Sequence, residues 1–380
     1  MLKTLVNNNK FVSGDKYLDF RDVLILPQAS KLNSRSEVSL NTDRNFTFSN
    51  SNSNSNSNSN SNYSWSGVPI VAANMTTVGT LEVYSVLSKY RIITALHKFY
   101  KLEDLVNYNE SNPEYKLDPD YFMISTGTSD ENYDTLTNTL DNFNCKFICI
   151  DIANGYIEKL KDFCKKVRTR YSDKIIMAGN VCTYQGTLDL LECGVDIVKC
   201  GIGGGSACTT RIQTGIGMPQ LSCVLECSKA VEYYRINNKT GRSAYMISDG
   251  GITCAGDVCK ALGANADFVM IGGEFAGHDE NPGELIEENG SKFKFFYGMS
   301  SSYAMKNNYA ANNNKQYRSS EGREIKIKYR GGLDNTVQNF LGGIRSTCTY
   351  TDSERLDCLK ENCKFILVNN QYNSNLVNGK

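Results

Sequence analysis

The segment Lys199–Arg211 reads KCGIGGGSACTTR and packs four glycines, two cysteines, three hydroxyl residues and an arginine into one short stretch. Glycines accept backbone geometries closed to other residues, and they let a carbonyl or amide approach an ion or a phosphate. Cys208 stands among them, next to Thr209 and Thr210 and close to Arg211. Polar, electropositive surroundings favour a thiolate, which is a strong nucleophile. On local sequence alone Cys208 reads equally well as an ordinary core cysteine, as most of the 14 cysteines must be. A dinucleotide GxGxxG fingerprint does not fit, because Ser206 takes the place of its last glycine.

Two glycine pairs suggest phosphate chemistry. Ser248–Gly251 reads SDGG, and Gly272–Gly273 follows a later apolar run. Backbone amides reach phosphate oxygens where no side chain intervenes. Asp249, beside the first pair, suits two ribose hydroxyls; the plainer reading is a turn with a capping aspartate. A third cluster is YGMSS (Tyr297–Ser301) with YRSSEG (Tyr317–Gly322). It reads as a long excursion able to cover a ligand. Glu321 within it is a candidate proton-transfer group, or else a solvated surface carboxylate.

These groups need a frame. Eight apolar runs recur, each ending in small or polar residues: Val68–Met75, Ile92–Lys98, Tyr121–Gly127, Phe147–Gly155, Ile175–Thr183, Asp196–Gly205, Tyr245–Ile252 and Phe268–Gly277. Continuous apolar runs suit strands buried on both faces of a parallel sheet. Amphipathic stretches such as Ile157–Tyr171 alternate with them. The pattern predicts an α/β fold: one (β/α)8 TIM barrel spanning 1–380, with an N-terminal extension (Met1–Ser66) and a C-terminal active-site excursion. A doubly wound sheet is the alternative. In a barrel, site residues stand where strands end. Asn74, His97, Lys98, Asp151, Asn154, Asn180, Asp249 and the Gly272–Gly273 pair all do. Ser49–Asn62 is a pure Ser-Asn alternation and reads as a disordered surface loop.

Composition narrows the function classes. The 380 residues carry no net charge, which gives no electrostatic case for a nucleic-acid polymer. No run approaches membrane-span length and no signal-peptide pattern opens the chain, so a soluble cytoplasmic protein with reduced thiols is expected. The two histidines, His97 and His278, are too few for a His-rich metal site. A Ser-His-Asp triad would need one of them.

The segments LDFRDVLILP, GVPIVAANMTTVGT, DIANGY, AGNV, GIGGGSACTTR, ISDGGI, FYGMSS, YRSSEG and LGGIRSTCTY, in that order from about Tyr17 to Tyr350, resemble the GMP reductase family. The related IMP dehydrogenases share the barrel, the cysteine loop and SDGG. They usually carry an inserted pair of cystathionine-β-synthase-type domains, for which this chain has no room, and they tend to read GMGS where it reads Gly298-Met299-Ser300-Ser301. GIRSTCTY is also reductase-like. IMP dehydrogenase, oxidising IMP to XMP with NAD, remains the runner-up. Readings from further afield are a nucleotide-binding barrel without catalysis and a flavin-binding barrel.

The resemblance implies NADPH-dependent reductive deamination of GMP to IMP and ammonia through a thioimidate on Cys208, with Thr210 and Glu321 protonating the departing ammonia. It implies that GMP meets Asp249, Gly250, Gly251, Gly272, Gly273, Gly298, Met299, Ser300, Arg318, Ser319, Ser320 and Gly322. NADPH would meet Lys98, Asp151, Ile152, Ala153, Ile202 and Gly203. Ser34 and Arg35, with Ser346, Thr347, Cys348 and Thr349, would reach it across a subunit boundary of a homotetramer. A monovalent cation, typically potassium, would sit on carbonyls at Gly203, Gly205 and Cys208, with Arg211 nearby. Two positions depart from the family: Gly204 replaces its usual proline and Ala207 its usual valine or isoleucine, which implies a more mobile cysteine loop. A second insertion near Tyr233–Arg242 is expected to lengthen a helix and the loop after it.

Overall fold

The computed structural model describes residues 17–48, 61–238, 240–299, 301 and 322–369. Three strands lead in: β1 (Val23–Ile25), then a hairpin of β2 (Thr42–Phe48) and β3 (Ser61–Gly67). Eight parallel strands follow: β4 (Ile70–Ala72), β5 (Ile93–Leu96), β6 (Phe122–Thr126), β7 (Phe147–Asp151), β8 (Ile175–Val181), β9 (Ile197–Cys200), β10 (Tyr245–Asp249) and β11 (Phe268–Ile271). They pair in sequence order, and β11 pairs back onto β4. The sheet is a closed barrel, so the doubly wound alternative is excluded.

Helices alternate with these strands: α1 (Leu81–Leu87), α2 (Leu102–Ser111), α3 (Asp130–Asn142), α4 (Glu158–Arg170), α5 (Tyr184–Glu192), the short α6 (Thr210–Thr214), α7 (Gln220–Asn237), α8 (Ala255–Gly263) and α9 (Leu333–Tyr350). Several start on hydroxyl caps. The side chains of Thr80, Ser129 and Thr183 accept from the amides of Val83, Asn132 and Gly186, satisfying donors that a helix start leaves open. The helix expected over Ile157–Tyr171 is α4. The extension expected near Tyr233 is the last part of α7. Between β11 and α9 stands an antiparallel sheet of β12 (Ile286–Glu288), β13 (Ser291–Tyr297) and β14 (Glu324–Lys328), and β15 (Phe365–Leu367) pairs with β1.

Strand side chains alternate between faces. Ile148 and Ile150 of β7 face the helices, whereas Phe147 and Cys149 face the lumen. Ile175, Met177, Ile197, Ile247, Phe268 and Met270 join the latter pair in one buried lumen cluster. The β2–β3 hairpin plugs the amino-terminal end of the barrel. Phe46 stands edge-on to Phe147 at 6.1 Å and Trp65 lies 5.3 Å from Phe268. Towards the carboxyl ends the same alternation brings polar residues inward, among them Asp151, Lys199 and Asp249.

The strands are shorter than the apolar runs. Asp196–Gly205, for example, reduces to Ile197–Cys200, because its glycines leave the sheet as a loop. The Ser-Asn tract also ends earlier than expected as a loop. Ser61 and Asn62 already belong to β3, paired with Phe48 and Thr47. The rest of the tract, 49–60, lies outside the described residues. Among the described residues no helix is long and apolar enough to cross a membrane.

Candidate active site

A cavity of about 960 Å³ opens at the carboxyl ends of the barrel strands. Cys208 and Thr210 line it, and the Cys208 thiol donates to Thr210 Oγ1 at 3.2 Å. Cys208 is half-buried, whereas Cys200 and Cys223 of the same region are fully buried. That exposure separates Cys208 from a core cysteine.

On one side the wall is mostly backbone: Gly250, Gly251, Gly272, Gly273, Gly298, Met299 and Gly322, with Asp249. Two of these glycines cannot be replaced without displacement. Gly250 has φ +109, and a Cβ there would stand 3.1 Å from the carbonyl carbon of Gly204. A Cβ on Gly273 would stand 2.6 Å from Ser206 Oγ. Bare amide edges of this kind suit phosphate. On the other side lie Lys98, Asp151, Ile152, Ala153, Ile202 and Gly203, together with residues 124–129 of β6 and its loop. The cavity therefore brings together Cys208 and several of the residues expected for each ligand.

The loop carrying Cys208 is tied down despite its glycines. The Gly204 carbonyl accepts from Gly251 N at 2.9 Å, and the Gly205 carbonyl accepts from Cys208 N at 3.0 Å. Ala207 O accepts from Arg323 N at 3.0 Å, and Gly322 forms a bridge with Cys208. Gly322 and Arg323, at the described end of the excursion, are thereby pinned beside the cysteine. Arg211, just after the loop, donates to Asp19 Oδ2 at 3.2 Å and to the Met218 carbonyl at 2.7 Å. Asp19 also accepts from the Gln220 amide, so the N-terminal extension anchors both ends of the segment that follows Cys208.

Other expected residues lie elsewhere. Ser34 and Arg35 are exposed beside α9, away from the cavity. Ser346, Thr347 and Thr349 are half-buried on α9, with hydroxyls bonded back to helix carbonyls. Cys348 stands apart from these three. It is 0 % exposed and belongs to the core, because its position on α9 turns it inward. Ser300, Arg318, Ser319, Ser320 and Glu321 lie outside the described residues.

Sequence reasoning placed Asn74 and Asn180 at strand ends without a specific role, and it passed over Lys199 and Gln220. Lys199 Nζ donates to Asp151 Oδ1 at 2.7 Å. Asn74 Nδ2 donates to Asp151 Oδ2 at 2.9 Å, and Asn180 Nδ2 to Asp249 Oδ2 at 2.8 Å. Gln220 Nε2 ties the Cys200 carbonyl to Ser248 Oγ. Burial works against the charges of both Lys199 and Asp151, but their attraction outweighs it. The Lys199 pKa stands above its ordinary value and the Asp151 pKa below it. A lysine inside an apolar strand, DIVKC, was the available signal.

The sequence model of the IMP dehydrogenase / GMP reductase domain matches residues 17–374. The chain belongs to the IMP dehydrogenase / GMP reductase family. It is 44% identical over 364 residues to GMP reductase 1 of Mus musculus, covering 96% of this chain and 98% of that protein. It is 47% identical over 357 residues to the GMP reductase of Yersinia pestis (strain Pestoides F), covering 94% and 96%. The family match takes in the whole barrel, the cysteine loop and the excursion that bridges it.

Proposed function

We propose that the chain reduces GMP to IMP and ammonia with NADPH, using Cys208 as the covalent nucleophile. The observation that carries this reading is the half-buried Cys208–Thr210 pair, lining one cavity with the glycine wall and with Lys98 and Asp151. The named relatives, matched over nearly their whole length, favour a reductase over an IMP-oxidising dehydrogenase.

The Cys208 thiolate adds to C2 of the purine, and the bond from C2 to the exocyclic nitrogen breaks. Thr210 and Glu321 deliver the proton with which that nitrogen leaves as ammonia, and a thioimidate remains on Cys208. Splitting one difficult displacement in two is the gain of a covalent nucleophile. NADPH, when bound, would supply the hydride that C2 accepts. The carbon–sulfur bond then breaks, Cys208 returns as thiolate, and IMP is released.

Asp249 holds the ribose hydroxyls. The amide edges of Gly250, Gly251, Gly272, Gly273 and Gly298 take the phosphate, together with Met299, Ser300, Arg318, Ser319, Ser320 and Gly322. Lys98, Asp151, Ile152, Ala153, Ile202 and Gly203 face the cofactor. The cavity volume, about 960 Å³, stands at the upper end of ordinary ligand sites, which suits two ligands. The exposed Ser34 and Arg35, with Ser346, Thr347 and Thr349, serve a cofactor bound to another subunit of a tetramer; their distance from the cavity of their own chain supports that assignment. Arg35 suits the extra phosphate of NADPH. Carbonyls of Gly203, Gly205 and Cys208, beside Arg211, would hold a potassium ion; oxygen donors suit a hard cation, and the Gly205 carbonyl keeps a second lone pair beyond its bond to Cys208 N. All 14 cysteines are free thiols, which fits a reducing cytoplasm.

Purified protein with GMP and NADPH should lose nicotinamide absorbance and release ammonia. NAD reduction with IMP, and no change with GMP, would make it the dehydrogenase instead.

A further inference from the structure

The lumen positions of β7, β9 and β10 put one lysine between two carboxylates. Lys199 is 1% exposed and is not part of the cavity wall. Its Nζ lies 2.7 Å from Asp151 Oδ1 and 3.4 Å from Asp249 Oδ2. It also donates to Asn74 Oδ1 at 3.4 Å. Both carboxylates open to the cavity, with side-chain exposures of 30% and 23%. One belongs to each proposed ligand. Gly179 of the neighbouring strand leaves room for this lysine, since a Cβ there would stand 2.6 Å from the Lys199 Cβ.

We propose that Lys199 is a positioning residue that keeps Asp151 and Asp249 ionised together, so that nucleotide and cofactor sites are competent at the same pH. The inference rests on GMP being held at Asp249. Two carboxylates within reach of one nitrogen are only a few ångströms apart. Without the ammonium between them, like charge and burial drive one to take up a proton. A protonated Asp249 loses acceptor capacity for two ribose hydroxyls. Among the described residues no other group around the lysine offers a replacement charge between the two. From β7, Cys149 is also near, but burial pushes its thiol up to about 12, so it stays neutral. Lys98, after β5, acts on Asp151 from another side. Asn74 on the β4 side and Asn180 on β8 do not titrate.

The test is calorimetric binding of GMP, without cofactor, to the full chain between about pH 5.5 and pH 8, read as the ratio of the Lys199→Met Kd to the wild-type Kd. The ratio cancels titration of the GMP phosphate. It should rise about tenfold or more towards acid, one pH unit of pKa shift being worth a factor of ten. The double variant Lys199→Met/Asp151→Asn should flatten it again, because a single remaining carboxylate has no like charge to relieve. A ratio constant across the range means that Lys199 only supports the fold, and overturns the proposal. If Lys199→Met does not fold, Lys199→Gln, which keeps a polar chain but no charge, reads the same ratio, and a constant ratio in that variant overturns the proposal in the same way. Absence of GMP binding by the wild-type chain at every pH instead overturns the functional reading, which keeps the two failures apart.

Discussion

Cys208 donates its thiol proton to Thr210 Oγ1 across 3.2 Å, and these two residues straddle the junction between a loop and a helix. Cys208 sits at the end of the glycine loop, and Thr210 is the first residue of α6. The pair is close enough to pass a proton. It is held on one flank by Gly322 and on the other by the Arg211–Asp19 pair.

Cys208→Ala should abolish GMP reduction while leaving GMP affinity within about threefold, since a single methyl-sized change leaves the glycine wall and Asp249 intact. Stopped-flow absorbance and calorimetry on the same preparation check both halves. Turnover above background in this variant would rule out covalent catalysis.

How much of this was legible beforehand depends on which link of the chain carried it. The barrel was readable because strands buried on both faces have no polar face to interrupt their apolar runs, as in Phe147–Asp151 and Ile175–Val181. Strand ends were overshot where the run continued into a loop, as at Gly201–Gly205. The plug formed by Phe46 and Trp65 was not foreseen. Its packing against Phe147 and Phe268 is a relation between residues far apart in sequence. Lys199 was missed for the same reason, since no local pattern tells which carboxylates face a lysine across a lumen. The burial of Cys348 was not legible either, because a matched motif fixes a position on α9, not the side toward which the residue points.

Replacing residues 49–60 with a short Gly-Ser turn should leave activity unchanged and the melting temperature within about two degrees. The tract offers no apolar residue for burial, and loop-closure entropy varies slowly with length. Ser61 and Asn62 must be kept, because they pair with β2. A loss of several degrees in differential scanning calorimetry would show that the tract packs against the folded chain.

Acid should weaken the fold through the two histidines. Burial holds His97 and His278 down at about 4, whereas an unfolded histidine titrates near about 6.5. Between those values the unfolded chain binds protons that the folded one refuses. The stability is therefore full above about pH 6.5 and is lost as pH falls towards about 4. For the fully buried His278 the contribution is on the order of 3 kcal/mol at most. Denaturant melts across that range should show a shallower decline for His278→Gln than for the wild type. Parallel curves would mean that carboxylates, not this histidine, govern the acid limb.

The proton supplied to ammonia is the last assignment to test. Glu321 directly precedes Gly322, whose backbone bridges Cys208. Its carboxyl is proposed to work with Thr210 on the leaving nitrogen. Glu321→Gln preserves size and some hydrogen bonding but cannot exchange a proton. General acid–base groups contribute about 100- to 10,000-fold, so the loss in GMP turnover should fall in that range. Hydride transfer needs an electrophilic C2 and a well-placed nicotinamide, and it takes no proton from Glu321. Run backwards, with IMP and NADP and the Cys208 adduct trapped, that half-reaction should slow by less than about tenfold, well short of a general-acid effect. The two half-reactions separate chemistry from architecture. An equal fall in both would mean that Glu321 holds the excursion against the cysteine loop and that ammonia takes its proton from another group.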